Sequence, residues 1–133
     1  MTVEQCTVNV AIRHNSWQAE SISTGLSWTP FNAWSVGSAR MDPKGTVLPG
    51  IRRETMCSFI FRYDKDKLTA GVVYTVDHLL SRRDFVEALV ESGGELAINI
   101  HLDGQFNCHV DLGPETLKVI ADLRIRYSVE CFP

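Results

Sequence analysis

The side chains best suited to chemistry fall into two groups. The first lies in "ELAINIHLDGQFNCHVDL", where His101, His109 and Asp111 offer two imidazoles and a carboxylate, with Asn99 and Asn107 among them. These are suitable ligand types for a divalent metal and suitable polar contacts for a partner. The second lies in "TGLSWTPFNAWSVG" and its continuation to Arg53. Here Trp28, Phe31 and Trp34 can form an apolar box, with Arg52 or Arg53 as its cationic anchor.

Other candidates fail on spacing. Asp77 and His78 are sequence neighbours; on a helix they point about 100° apart and do not face each other. Cys6, Cys57, Cys108 and Cys131 are widely separated and show no zinc-ligand spacing. All four fall on inward strand faces in the reading below, which predicts reduced core thiols. No G-x-S-x-G elbow, phosphate-binding glycine loop or His-Glu-x-x-His helix occurs. Nothing here argues for catalysis, and no cofactor is implied.

The elements that must position these residues follow from periodicity. "CTVNVAIRH" alternates, with Cys6, Val8, Val10 and Ile12 on one side, as in a half-buried strand. Asn15 or Ser16 can cap a short helix through about Thr24, stopped by Gly25. From Gly25 to about Arg53 no regular element is evident. A loop of that length is functional or hides a short element. "ETMCSFIFRY" is a second strand. "YTVDHLLSRRDFVEALVESGG" is helical, in one piece or two, with Ser81 and Asp84 spaced as a cap.

The pattern after Gly94 predicts a hairpin with the loop Asp103-Gly104-Gln105. It sets Leu102 against Phe106, Ile100 against Cys108, Ile98 against Val110 and Leu96 against Leu112. The other face then presents Asn99, His101, Asn107, His109 and Asp111. In this register the histidines are diagonal and open to solvent, so no metal cage is expected. A helix opened by Pro114, with Leu117, Ile120 and Ala121 inward, leads to a last strand with Ile125, Tyr127, Val129 and Cys131 inward.

Together these predict one α+β domain over residues 1–133. Its sheet would be five-stranded and mainly antiparallel, with helices on one face in a ferredoxin-like arrangement and a long loop after the first helix. The open sheet face is a solvated surface or a binding one.

The assembled layout resembles a bacterial family, domain of unknown function 4279. The likeness rests on "ISTGLSWTP", on "VDHLLSRRDFVEALVESGGELAINIHLDG" and above all on "VDLGPETLKVIADLRIRYSVECF". Trp28 stands where the family turn has proline, and Pro30 comes later. The resemblance implies a fold and no agreed activity.

Composition narrows the function classes. With 13 basic and 16 acidic residues the net charge is −3, and no basic stripe suggests nucleic acid. There is no apolar run of about 20 residues to span a bilayer. The N-terminus lacks a basic segment followed by an apolar one, so a soluble, cytoplasmic chain is expected. The leading expectation is a non-enzymatic protein-binding domain, such as an immunity protein that neutralises a cognate bacterial toxin. The alternative is a small-molecule-binding module or enzyme using residues 25–53 as its wall. A homodimer through the exposed sheet face is a further candidate.

Overall fold

Strict alternation makes the first strand the centre of the fold. Cys6, Val8, Val10 and Ile12 are fully buried, whereas Thr7, Asn9 and Ala11 are half-buried. The computed structural model describes residues 5–103 and 108–132. In it, β1 (Gln5–His14) pairs antiparallel on both sides, with β5 (Thr55–Asp64) and with β6 (Glu95–Asp103). Val10 stands between Phe59 and Ile98, so the inward sets of the three strands coincide. A short strand, β2 (Asn32–Trp34), lies along β5, and β7 (Arg126–Phe132) runs parallel to β6. The order is β2-β5-β1-β6-β7.

This sheet is mixed, which corrects the mainly antiparallel expectation. The cause is the segment between β6 and β7. Parallel neighbours need a crossover, and here it contains α4 (Pro114–Asp122). The expected hairpin does not form, since both edges of β6 are occupied by β1 and β7. Residues 108–112 carry no strand and pass over the helical layer. The Asp111 amide donates to Thr69 Oγ1 (3.1 Å), and Cys108, Val110 and Leu112 pack on the core. The hairpin's proposed loop and Asn107 lie largely outside the described residues.

The helices α1 (Ala19–Leu26), α2 (Leu68–Ser81), α3 (Arg83–Glu91) and α4 bury Ile22, Leu26, Val72, Val76, Leu79, Val86, Leu89 and Ile120 in the same cluster as the inward strand residues. Helices therefore cover one face, as the pattern requires. None of them is long and apolar enough to cross a membrane.

Four local expectations change. Neither Asn15 nor Ser16 caps the first helix, which starts at Ala19 after Gln18 with no side-chain cap. The first helix continues through Gly25, and Ser27 takes the left-handed position (φ 57°) instead. The amides of Ser27 and Trp28 then bond Thr24 O and Ser23 O, closing the end. Gly25 serves packing: a Cβ there would stand 2.1 Å from the Phe85 ring. Ser81 does not cap α3; its hydroxyl donates to His78 O (2.5 Å). In α4, Ile120 is buried but Leu117 and Ala121 are exposed.

The cysteines divide as well. Cys6 and Cys57 are buried; Cys108 is half-buried off the sheet, and Cys131 is exposed at an edge. Val129 is likewise exposed on β7. An edge strand has no neighbour to cover its far side.

The long loop after α1 proves to be structured. It supplies β2 to the main sheet, then rises as a separate ribbon of β3 (Ala39–Met41) and β4 (Val47–Ile51). We refer to residues 31–53 as the arm.

Candidate functional site

The arm is held to the body through buried hydroxyls. Thr55, fully buried at the start of β5, donates to Trp17 O (2.5 Å) and accepts from the Val36 amide (2.9 Å). Ser35 Oγ accepts from the Ala19 amide at the start of α1 (2.9 Å). A turn at Ser35–Ser38 with Gly37 at φ 83° reverses the chain, a conformation glycine adopts without Cβ strain. At the tip, Asp42 Oδ1 accepts from the amides of Lys44 (2.9 Å) and Thr46 (2.8 Å), fixing the ribbon's own turn.

This scaffold places Trp34 and Arg52 together. Trp34 comes from β2, opposite Met56. Arg52 is fixed by its main chain: its amide donates to Ser38 O (2.8 Å) and its carbonyl accepts from Gly37 (2.9 Å). The Arg52 guanidinium lies 4.1 Å over the Trp34 ring, a cation–π contact. Nη2 donates to Met41 O (3.2 Å), while Nε is buried with no hydrogen-bond partner among the described residues. A buried donor of this kind carries a desolvation cost until an acceptor reaches it.

Around this pair runs a groove of about 1060 Å³, lined by Gln18, Asn32, Trp34, Met41, Asp42 and Arg52 among others. Its size is just above the usual small-ligand range of about 300–1,000 Å³. Apolar side chains stand exposed along the arm: Phe31 (66%), Met41 (48%), Val47 (66%) and Ile51 (62%). The last three carried no periodic signal, because the arm's strands are too short to show one. Arg53 is exposed on the same arm.

Trp28 belongs elsewhere. Its ring stacks on His78 (4.3 Å, 16°) and packs against Phe59 and Phe61, and His78 Nε2 donates to Leu26 O (2.6 Å). Trp28 therefore locks α1 to α2 and β5. The expected box of Trp28, Phe31 and Trp34 does not form as one unit.

The other candidate group is also separated. Asn99 and His101 stand on the open sheet face, half-buried. Asn99 Oδ1 accepts from Ser128 Oγ (2.6 Å), and Asn9 Oδ1 accepts from Ser58 Oγ (2.7 Å). Those bonds knit four strands into a polar row. His109 and Asp111 are exposed on the crossover segment, above the helices and away from His101. Asn107 is outside the described residues. The metal-ligand trio is thus divided between the two faces of the sheet.

A further polar centre had no sequence signal. His14 is buried; its Nδ1 accepts the amides of Ser16 and Trp17 (both 3.0 Å), and its Nε2 lies 2.8 Å from Ser92 Oγ. Ser92 Oγ donates to Ala88 O (2.7 Å), leaving its lone pair for a proton on Nε2. The ring is thus the neutral Nε2–H tautomer, and burial lowers its pKa. Its partners are all structural, so we assign it to the joint between β1, α1 and α3.

Compared with protein-family models, curated proteins and solved structures, the chain matches none.

Proposed function

We propose that this chain is a protein-binding domain whose arm receives a partner, in the manner of an immunity protein that neutralises a cognate toxin. The observation that carries the reading is Arg52. Its Nε is a buried donor, unpartnered among the described residues, beside an aromatic ring and within a groove lined by exposed Met41. Aromatic and arginine anchors with apolar surroundings are the composition of interface hot spots.

Charge specifies the docking segment. The chain is acidic overall, which favours long-range capture of a basic protein. The arm is locally the reverse, with Arg40, Lys44, Arg52 and Arg53 against Asp42, although Glu20 of α1 and Asp42 line the groove beside Arg52. A segment that seats there presents a carboxylate or carbonyl to Arg52 and an apolar side chain to Met41.

The test is protection against toxins encoded beside this gene, with binding measured by calorimetry. The native chain should bind and protect. Arg52→Ala should weaken binding by roughly 30-fold or more, the scale of a hot-spot anchor, while His109→Ala should not. A native chain that protects against no neighbouring toxin, or an Arg52→Ala variant that binds as well as the native chain, refutes the reading. A thermal-shift response to small carboxylates that is lost in Arg52→Ala would favour the small-molecule alternative.

A further inference from the structure

The two edges of the sheet are treated differently. At one edge, β2 is three residues long and closely follows Pro30. An edge strand this short gives other chains little to pair with. At the other edge, β7 spans seven residues with no proline inside it, Pro133 following its last residue, and its register with β6 is unbroken from Arg126 to Phe132. Among the described residues nothing pairs with its outer side. Among those residues its outer backbone donors and acceptors therefore form a regular unpaired row.

The side chains of β7 are complementary to themselves. In an antiparallel pair of two β7 strands centred on Ser128, Arg126 of each copy faces Glu130 of the other, and Tyr127 faces Val129. Within the strand, this register alone sets both charges against opposite ones. Arg126 and Glu130 are exposed and make no ion pair with any described residue. Both lie on the open face with Ser128, while Tyr127 and Val129 lie on the helix side, 45% of Val129 being exposed. Opposite charges and aromatic–β-branched pairs are the favourable cross-strand combinations.

We infer that β7 is a homodimer interface, at which a second copy of this chain adds its own β7 antiparallel about a two-fold axis at Ser128. The result is a continuous ten-stranded sheet. The contact is isologous and closes at two copies. It is an edge contact, distinct from one through the open sheet face, and its small extent makes the dimer a dissociating one.

The register can be tested by charge reversal. Sedimentation velocity of the native chain should show a concentration-dependent monomer–dimer equilibrium. Arg126→Glu or Glu130→Arg alone places like charges opposite each other twice and should weaken dimerisation by roughly tenfold or more. The double variant restores both pairs and should recover dimerisation. A mixture of the two single variants should form heterodimers, because each chain then meets opposite charges on the other. Circular dichroism checks that each variant is folded; if a reversal unfolds the chain, Arg126→Gln and Glu130→Gln replace it. A native chain that stays monomeric at several hundred micromolar overturns the inference. So does a dimer indifferent to both reversals, or a mixture that does not associate.

Discussion

Acidification should weaken the fold through His14, and the sign follows from its hydrogen bonds. In the folded chain Nδ1 accepts two amides at 3.0 Å and is not free to take a proton; burial lowers the pKa. In the unfolded chain the imidazole titrates near its ordinary value of about 6.5. Above that pH both states are neutral and the full stability is present. Below it the unfolded state binds a proton that the folded state refuses. Stability then falls by up to about 1.4 kcal/mol per pH unit until the folded-state pKa is reached. Other groups also titrate, so the measurement must be a difference. Urea unfolding at about pH 7.5 and about pH 5.5 should be compared for the native chain and His14→Asn. Asn can place Oδ1 near the Nδ1 position and accept the same amides without titrating. It loses ring packing against Trp17, costing about 2–3 kcal/mol at both pH values. The native chain should lose up to about 1.4 kcal/mol more than the variant over this interval. Equal losses would refute the argument. So would nitrogen shifts showing the proton on Nδ1.

Three further outcomes follow from packing and burial. Gly25→Ala should destabilise by about 1–3 kcal/mol, despite alanine's better helix propensity, because the new Cβ meets the Phe85 ring; a rise in thermal midpoint would show that the ring yields freely. The two tryptophans of the long segment should separate in denaturant melts. Trp28→Ala should cost about 2–4 kcal/mol through its contacts with Phe59, Phe61 and His78, and Trp34→Ala less than about 1 kcal/mol. Burial pushes the Cys57 thiol up to about 11, so iodoacetamide at about pH 8 should label exposed Cys131 long before Cys57. Mass spectrometry of the peptides reads that order, and equal rates would contradict it.

The sequence makes legible what depends on a repeated choice between two faces. β1, β5 and β6 each carry four or more alternating positions, so their inward sets can be seen before any pairing is known. Pro114 likewise marks the start of α4, where a missing amide costs nothing. Residues 108–112 show the limit of this signal. Cys108, Val110 and Leu112 do alternate and do pack on the core, but outside the sheet ladder, with Cys108 against Cys6 and the Lys65 carbonyl and Asp111 on Thr69 of α2. Period two reports an extended chain with one buried side; it does not report a hydrogen-bonded neighbour. The arm fails for another reason. Its strands are three to five residues long, with Gly37 and Gly45 in the turns between them and Gly50 inside β4, all at positive φ, so no window is long enough to establish a period. Trp34 and Arg52 were still visible as residue types, because an aromatic ring and a guanidinium in one uncharged or basic stretch are chemically conspicuous. Their contact depends on a two-bond bridge between Arg52 and Gly37–Ser38 that no spacing rule contains.

The arm and β7 stand at opposite edges of the sheet, with β5, β1 and β6 between them. That separation makes the two proposals independent. A dimer joined through β7 keeps both arms free at its far ends, so each copy can hold a partner without competing with the dimer contact. Arg126→Glu should then leave the affinity of a single arm unchanged while removing the bivalent gain on an immobilised partner. Arg52→Ala should do the converse, weakening binding in both formats while the monomer–dimer equilibrium stays as in the native chain. Bivalency multiplies apparent affinity only where the geometry lets both sites engage, so the ratio of immobilised to solution affinity tests the spacing of the two arms directly. A ratio unaffected by Arg126→Glu would mean that the arms of one dimer cannot reach two partners on a surface.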